Sequence, residues 1–300
     1  MGVSPPKTGQ AIIPLKLILF MIKLDAHQHF WLYNPDEYAW IGENMKVLQN
    51  DFLPMQLQKE LDSMSFDGSI VVQARQTLEE TEWLLKLASE YDFIKGVVGW
   101  VDLCSDDIEN QLKKYSDNPK FVGVRHVVHD EPDDYFMARA DFQHGISLLE
   151  KYNLTYDLLL FPKHLPLATE LVRKFPNQRF ILDHIAKPLI KGQVKEPWAS
   201  EITKLAQWPN VYCKLSGMVT EADWQNWKAP DFAYYLETVY QAFGSNRLMI
   251  GSDWPVCTVA GGYQQVMCVV TDFIKQFDDD VQKKILGMNC YRFYLSKIQY

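Results

Sequence analysis

The sequence has few of the features that mark secreted, membrane-spanning or nucleic-acid-binding proteins. It contains five cysteines among 300 residues and no CxxC spacing, a pattern that favours reduced thiols in a cytoplasmic protein over a disulfide framework. Lys and Arg number 30 against 38 Asp and Glu, a formal net charge of -8. Nucleic acid is therefore not an expected partner, because its binding needs a basic face.

Long apolar runs are also missing. The segment "LKLILFMIKL" (15–24) is too short to span a membrane and lacks a small-residue cleavage site. We therefore predict an extension of little structure over residues 1–21, a single domain over 22–300, no membrane association and a cytoplasmic location. The sequence carries no indication of the oligomeric state.

What is present is an alternation of short β-rich segments and helix-like stretches. The helix-like stretches have apolar residues three and four positions apart, as in "EETEWLLKLASEYD" and "HLPLATELVRKFP", and "FAYYLETVYQAFG" ends in a glycine stop. Eight strands, each followed by a helix or a long connection, predict a parallel sheet. They fit a single (β/α)8 barrel, with an open doubly wound sheet as the alternative. The strands are predicted at 22–27, 68–73, 94–101, 121–127, 155–160, 179–184, 210–217 and 247–253.

Polar side chains stand at the carboxyl ends of these apolar strands. In a barrel these ends open to one mouth, where active sites are built. Isolated polar residues would need no special explanation, but their repeated arrival at the same strand end indicates a site. They are His27 and His29, Gln73 and Arg75, Trp100 and Asp102, Arg125 with His126 and His129, Asp183 and His184, Lys214 and Ser216, and Ser252 with Asp253 and Trp254.

His27 and His29 lie two residues apart on the first strand, so their side chains are expected to share a face and lean into the mouth. Neutral imidazole is a common zinc ligand, and a catalytic site takes about three protein ligands with one open position. His184 and Asp253 could complete such a set. The same groups also work without a metal, with Asp253 deprotonating water and imidazoles donating hydrogen bonds to a substrate carbonyl.

Six motifs in this order resemble the amidohydrolase superfamily, specifically its amidohydrolase 2 branch of sugar-lactone and related lactone hydrolases. The chain looks most like the L-fucono- and L-rhamnono-lactonases. The resemblance runs from about Leu24 to the C-terminal region. Its motifs are "DAHQHFW" (25–31), "GVRHVVHDEP" (123–132), "YDLLLFPKHLP" (156–166), "FILDHIAKP" (180–188), "KLSGMVTEADW" (214–224) and "GSDWPVC" (251–257).

The resemblance implies a distorted (β/α)8 TIM barrel that hydrolyses a cyclic ester, with His27, His29, His184 and Asp253 as catalytic residues. Many superfamily members have a lysine or glutamate at the end of strand four that bridges two metals, whereas this chain has "VRHVVH" (124–129) there. The resemblance therefore implies at most one divalent ion, such as zinc, on those four residues. Some lactonases of the branch work without one.

Further residues are candidates for contacting the substrate. Arg125 is expected to reach substrate oxygens, or else to form a buried ion pair, with Asp102 as the candidate partner. The other candidate substrate-binding residues are His126, Gln73, Trp31 and Trp254. Lys187 and Lys214 could contact a substrate but are equally suited to structural roles, and Trp40 is ordinary core or lid material. The remaining histidines are expected at the periphery, namely His129, His164 and, on a helix surface, His144.

Three functions fit these observations. The first is hydrolysis of a sugar lactone to its aldonic acid, with an Asp-activated water and a small-molecule substrate. The second is zinc-dependent decarboxylation of an aromatic or dienoic acid, a reaction also represented in the superfamily. The third is a non-catalytic barrel that binds a ligand, which the intact set of His27, His29, His184 and Asp253 disfavours.

Overall fold

The computed structural model describes residues 22–296. The predicted extension over 1–21 and the last four residues lie outside the described part. Within it, eight parallel strands follow the order β1 to β8 in one sheet, so the predicted barrel is confirmed and the open sheet is not. The strands are β1 (Leu24–Gln28), β2 (Gly68–Val72), β3 (Ile94–Gly99), β4 (Phe121–His126), β5 (Thr155–Leu158), β6 (Phe180–Leu182), β7 (Val211–Leu215) and β8 (Leu248–Ile250).

Helices lie between the strands and cover the outside of the sheet. They are α1 (Pro54–Met64), α2 (Leu78–Glu90), α3 (Ile108–Ser116), α4 (Ala140–Leu149), α5 (Leu165–Lys174), α6 (Trp198–Leu205), α7 (Pro230–Phe243), α8 (Tyr263–Ile274) and α9 (Asp279–Lys283), followed by two π-helical turns, Lys284–Met288 and Tyr291–Leu295. None of the helices between residues 22 and 296 has the length and apolar character needed to cross a membrane.

Local sequence explains where several helices begin and end. The Thr77 side chain accepts a hydrogen bond from the Glu80 backbone N–H and so caps α2. Helix α7 ends at Gly244, whose φ of 67° is readily adopted by glycine. The predicted glycine stop is therefore confirmed.

The barrel closes between β1 and the segment that follows β8. The His29 backbone N–H donates to the Trp254 carbonyl at 2.7 Å, and the Asp253 N–H donates to the His27 carbonyl at 2.8 Å. These bonds lie at the carboxyl ends of both strands. Closure of the barrel thus brings Asp253 next to the two histidines of β1.

Alternate residues of the strands face two different cores. Ile70, Val98, Ile181 and Met249 pack in the barrel interior together with Phe293 near the C-terminus. Their neighbours along the strands pack instead with the surrounding helices. Examples of these outward residues are Val71, Val97, Phe180 and Ile250.

Candidate active site

A cavity of about 620 Å³ opens at the carboxyl ends of the strands. Four of the predicted site residues line it, namely His29, Arg125, His184 and Asp253. The loops after the strands supply the remaining walls. These include Glu37, Trp40, Met45, Arg75, His129, Asp130, Lys187, Glu221, Trp224, Val256 and Val259.

His29 presents one bare nitrogen to the centre of the site. Its Nδ1 lies 2.7 Å from the Val72 carbonyl oxygen. A carbonyl only accepts hydrogen bonds, so Nδ1 carries the ring proton. Burial lowers the pKa of His29, which leaves the ring neutral at pH 7. The lone pair on Nε2 therefore points towards His27 Nε2, 3.2 Å away, and Asp253 Oδ1, 3.3 Å away.

His27 faces the interior because of an irregularity in β1. The register of β1 on β2 shifts between Asp25 and Gln28, and a bulge of this kind re-aims side chains along a strand. Ala26 packs in the interior core, and the next residue, His27, also contacts interior groups. Its Nε2 lies 3.3 Å from Arg125 Nη1, and its Nδ1 lies 3.2 Å from Lys214 Nζ.

Asp253 lies at the meeting point of three imidazoles. Its Oδ1 is 3.3 Å from His29 Nε2, 3.8 Å from His184 Nε2 and 3.9 Å from His27 Nε2. Burial alone raises the pKa of a carboxyl, but the electrostatic attraction of the basic groups around it, first His184 and then Lys187, outweighs burial and holds the pKa of Asp253 below its ordinary value. Asp253 is therefore ionised across the neutral range.

His184 begins a left-handed turn that follows β6. Residues 184 to 187 have φ values of 53°, 48°, 60° and 48°, and none of them is glycine. Such a conformation costs about 1–2 kcal/mol per residue, so the surroundings must hold it in place. The Trp198 indole N–H donates to the Ile185 carbonyl at 2.8 Å, and Lys187 Nζ donates to Glu221 Oε1 at 2.9 Å.

The imidazole of His184 is fixed by the residues that follow β7. Its Nδ1 lies 2.9 Å from the Ser216 hydroxyl. Gly217, with a φ of 60°, passes directly against the ring, and a side chain at this position would collide with His184 Nδ1. Burial lowers the pKa of His184 well below its ordinary value, so this ring is neutral as well.

A layer of fully buried charges lies beneath the histidines. Lys214 Nζ contacts Asp157 Oδ2 at 2.5 Å and Asp183 Oδ1 at 3.0 Å. Asp183 Oδ1 is also 3.3 Å from His27 Nδ1, and its Oδ2 accepts from Arg125 Nη1 at 3.2 Å. Although burial raises the pKa of a carboxyl, Lys214, His27 and Arg125 hold the pKa of Asp183 well below its ordinary value. We call Arg125, Asp157, Asp183 and Lys214 the charged layer.

The residues above this layer fit a single divalent cation. Nε2 of His27, Nε2 of His29 and Oδ1 of Asp253 are 3.2 to 3.9 Å apart. Two ligand atoms of a tetrahedral zinc are about 3.3 Å apart, given bonds of about 2.0–2.1 Å. The hydrogen bond from His29 Nδ1 to a carbonyl is typical of a histidine that orients Nε2 towards a metal. His184 lies next to this set.

Asp183 forms a second possible group of ligands with His27 and His184. Its carboxylate oxygens already neutralise Lys214 and Arg125. These two cations disfavour an additional ion at Asp183. The structure thus favours His27, His29 and Asp253 as the ligand set; Asp183 lies at the predicted strand end, but its pairing with Lys214 and Arg125 is not among the predictions.

Four predicted substrate-binding residues lie outside the cavity lining. Trp31 is fully buried and its indole N–H donates to the Asn50 carbonyl at 2.9 Å, while Trp254 packs edge-on against Phe30 and Phe52. The prediction that these two indoles line the pocket is wrong. Both serve to pack the long loop that follows β1.

Gln73 and His126 are also occupied by protein contacts. The Gln73 amide donates to the Arg125 carbonyl at 3.3 Å. His126 Nε2 lies 2.6 Å from Glu131 Oε1, and its ring stacks on Phe136. The contacts of His126 hold its ring away from the cavity, whereas Gln73 Oε1 is buried without a hydrogen-bond partner among the described residues; neither side chain lines the cavity.

The alternative interpretation of Arg125 as a buried ion-pair residue is correct, but its partner is Asp183 rather than Asp102. Asp102 accepts a hydrogen bond from the Cys104 N–H in its own loop. The two carboxylates follow different strands, and the sequence does not reveal which one the guanidinium reaches.

The other basic residues divide between the cavity and the protein matrix. Lys214 is structural, since it is fully buried between two carboxylates, whereas Lys187 lines the cavity. His144 is exposed on α4 as predicted, and His164 bonds to the Phe161 N–H outside the cavity lining. His129 was expected at the periphery but lines the cavity, where burial lowers its pKa to about 3.

Sequence reasoning did not predict the aromatic cavity walls. Trp40 in the loop after β1 and Trp224 in the loop after β7 line the cavity, whereas the sequence gives no reason to separate Trp40 from ordinary core or lid aromatics. Their position in loops at the carboxyl ends of strands was a usable signal. Nothing in the sequence, however, separates these indoles from Trp31 and Trp254, which point elsewhere.

Comparison with known proteins identifies the family of the chain. The family model described as "Amidohydrolase" matches residues 24–295. A curated L-fucono-1,5-lactonase of Burkholderia multivorans is 38% identical over 259 residues, covering 83% of this chain and 87% of the relative. An L-fucono-1,5-lactonase of Burkholderia ambifaria is 34% identical over 280 residues, covering 91% and 95%.

A solved structure has the same fold. The crystal structure of an amidohydrolase from Burkholderia multivorans with bound zinc has a TM-score of 0.87 and 35% identity, and covers 91% of this chain and 99% of that one. Together with the match to the family model, this confirms the resemblance found in the motifs. The chain belongs to the amidohydrolase family.

Proposed function

We propose that this chain hydrolyses a sugar lactone of the L-fucono- or L-rhamnono-lactone type to its aldonic acid, with Asp253 as the group that activates water. The observation that carries the proposal is the Asp253 carboxylate, whose Oδ1 lies 3.3 to 3.9 Å from Nε2 of three histidines at the wall of the cavity. The chain is a hydrolase acting on ester bonds, and its curated relatives are L-fucono-1,5-lactonases.

Ester hydrolysis needs a base for the attacking water, and Asp253 suits this role. Its pKa is held below the ordinary value, so the carboxylate is in the proton-accepting form at neutral pH. As the water oxygen bonds to the lactone carbonyl carbon, Asp253 takes the water proton. When the bond between this carbon and the ring oxygen breaks, Asp253 returns the proton to that oxygen, which becomes a hydroxyl.

Negative charge develops on the carbonyl oxygen during the attack and requires donors near it. His184 is suited to this task when its Nδ1 accepts from the Ser216 hydroxyl, because its Nε2 then carries a proton on the side of Asp253. Arg125 contributes a fixed positive charge at the cavity wall.

A divalent ion also has a place in this site. His27, His29 and Asp253 would hold it with His184 beside them, and it would supply Lewis-acid polarisation of the carbonyl or of the water. Trp40 and Trp224 offer indole faces to the sugar ring. The cytoplasmic location remains a prediction from cysteine usage.

The test is a pH-indicator assay with a panel of aldono-1,4- and 1,5-lactones, run with and without a chelator. We expect acid release from at least one sugar lactone. Asp253→Asn should lower kcat by about 10²–10⁴-fold, the usual contribution of a general base. Asp102→Asn is the matched control, because it removes a carboxylate outside the cavity lining, and we expect it to retain activity.

Three results would contradict the proposal in distinguishable ways. Near-normal hydrolysis by Asp253→Asn would remove Asp253 as the base but leave the lactonase activity. Zinc-dependent consumption of an aromatic or dienoic acid without lactone hydrolysis would favour the decarboxylase. Ligand binding without turnover of either substrate class would favour the non-catalytic barrel.

A further inference from the structure

The Arg125 guanidinium is held rigidly against the candidate metal ligands. Its Nη2 donates to the Gln73 carbonyl oxygen, and its Nη1 donates to Asp183 Oδ2 at 3.2 Å. Arg125 is 3% exposed and extends from the carboxyl end of β4. A side chain tethered at both terminal nitrogens and enclosed on nearly all sides cannot swing away into solvent.

One of these nitrogens also contacts the atom that a metal would use. Arg125 Nη1 lies 3.3 Å from His27 Nε2, and the same Nε2 faces His29 Nε2 at 3.2 Å. Guanidinium is always charged and only donates hydrogen bonds. A divalent ion on His27 Nε2 therefore has to share this lone pair with a fixed positive charge.

A second cation lies on the other side of the same ring. Lys214 Nζ is 3.2 Å from His27 Nδ1 and is itself completely buried. Both nitrogens of His27 thus have a cation within 3.3 Å, but Nδ1 also has the carboxylate oxygen Asp183 Oδ1 at 3.3 Å, whereas Nε2 has Arg125 Nη1 at 3.3 Å and Asp253 Oδ1 only at 3.9 Å. Like charges a few ångströms apart repel strongly where solvent is excluded, because the effective dielectric constant there is low.

We propose that Arg125 is a resident cation that competes with a divalent metal ion for His27 Nε2, and so weakens metal binding at His27, His29 and Asp253. In this assignment Arg125 supplies the fixed positive charge of the site whenever no metal is bound. The inference concerns the binding of an ion and does not depend on which reaction the chain catalyses.

The test is a measurement of zinc affinity by competition with a chromophoric chelator, on full-length protein freed of metal by dialysis. We expect Arg125→Met and Arg125→Gln to bind zinc at least tenfold more tightly than the unmodified chain. Arg125→Gln also keeps an amide that can donate to the Gln73 carbonyl, so it carries the test should the methionine variant fail to fold. Circular dichroism monitors the fold of each variant.

Arg75→Met is the matched control. It removes a guanidinium that lines the same cavity but is bonded to Glu37 rather than to the histidines. We expect its zinc affinity to lie within threefold of the unmodified chain. Unchanged or weaker zinc binding by folded Arg125→Met and Arg125→Gln would overturn the proposal. An equal increase in zinc affinity for Arg75→Met would also overturn it, because removing any positive charge from the cavity would then have the same effect.

Discussion

The barrel interior contains two adjoining regions that are equally buried and chemically opposite. One is an apolar layer in which Ile70, Val98, Ile181 and Met249 pack against Phe293. The other is the charged layer. Tyr294 joins them, because its ring packs in the apolar layer while its hydroxyl donates to Asp157 Oδ2 at 2.8 Å. The same strands therefore build a packed base and a polar floor for the cavity.

The difference between the layers shows what each requires of its residues. An apolar layer needs side chains of the right total volume, so swaps between similar aliphatic groups change little. A charged layer needs every charge to keep its partner, because an ion left alone in a buried position is strongly disfavoured. We therefore expect the two layers to respond very differently to substitutions of similar size.

Lys214→Met is the change expected to have the largest effect. It removes the cation that contacts both Asp157 and Asp183 while keeping most of the side-chain volume. Breaking a buried pair in this way typically lowers the free energy of unfolding by about 3–5 kcal/mol, measurable by urea unfolding.

Lys204→Met is the control for Lys214→Met. Lys204 pairs with Glu201 but its side chain is 60% exposed, and exposed pairs contribute less than about 1 kcal/mol. If Lys214→Met lowers the free energy of unfolding by less than about 1 kcal/mol, the charged layer tolerates an unpaired carboxylate, and the expected difference between the two layers is wrong.

Glu80→Gln tests a buried carboxylate whose cation, Arg75, is more distant than the cations around Asp183. Its Oε2 accepts from the Ala74 and Arg75 backbone N–H groups, while Arg75 Nε is 3.9 Å from Oε1. Burial therefore dominates and raises the pKa of Glu80 from 4.5 to about 7. Asp183 is just as buried but has its pKa lowered by the cations around it.

The sign of the pH effect of Glu80 follows from this shift. As pH rises above 4.5, the unfolded chain ionises Glu80 while the folded chain keeps the proton until about pH 7. Between pH 4.5 and about pH 7 the free energy of unfolding of the unmodified chain therefore falls by about 3 kcal/mol relative to that of Glu80→Gln. Urea unfolding at intervals between about pH 4 and pH 8 measures the difference.

The exposed neighbour Glu79 in the same helix provides the control for Glu80. Glu79→Gln removes an exposed carboxyl from the same helix, so it separates the effect of losing a charge from the effect of losing a buried one. Glu80→Gln and the unmodified chain could instead differ in free energy of unfolding by the same amount at every pH between about 4 and 8. Burial would then not raise the pKa of Glu80, and nearby positive charge would offset its burial as it does for Asp183.

Ile181→Val is the change expected to have the smallest effect, and it tests the apolar layer. Ile181 is fully buried on β6, two residues before Asp183. Removing one methylene group from such a position lowers the unfolding free energy by about 0.5–1.5 kcal/mol, and we expect zinc affinity and lactone hydrolysis to stay unchanged. A loss as large as that of Lys214→Met would erase the distinction between the layers.

Much of the fold could be predicted because the relevant signals are local. All eight predicted strands overlap observed ones, since buried parallel strands produce short apolar runs. The position of the site followed from the polar residues after these runs. The direction of individual side chains was less accessible, as Trp31 and Trp254 illustrate, because the packing partners that orient an indole come from distant loops.

The predicted face of His27 was correct for an incomplete reason. The two-residue spacing predicts that His27 and His29 lie on the same face of β1. Strict alternation along the strand would, however, place His27 on the face opposite Ala26, which packs in the barrel interior. Instead both Ala26 and His27 contact interior groups, through the register shift in β1. A bulge depends on the pairing of two strands, so the pattern of one strand does not reveal it.

The amino-acid sequence alone predicted the barrel, the strand ends at which the candidate site lies and four candidate catalytic residues, because hydrophobic periodicity and residue type are local properties. The three-dimensional structure was needed to show that Arg125 pairs with Asp183, that Lys214 is buried between carboxylates and that His27 has a cation near each nitrogen. The groups involved lie on β1, β4, β5 and β7 and directly after β6, and only closure of the barrel brings them within a few ångströms. Electrostatic interactions depend on these distances, which residue order does not encode.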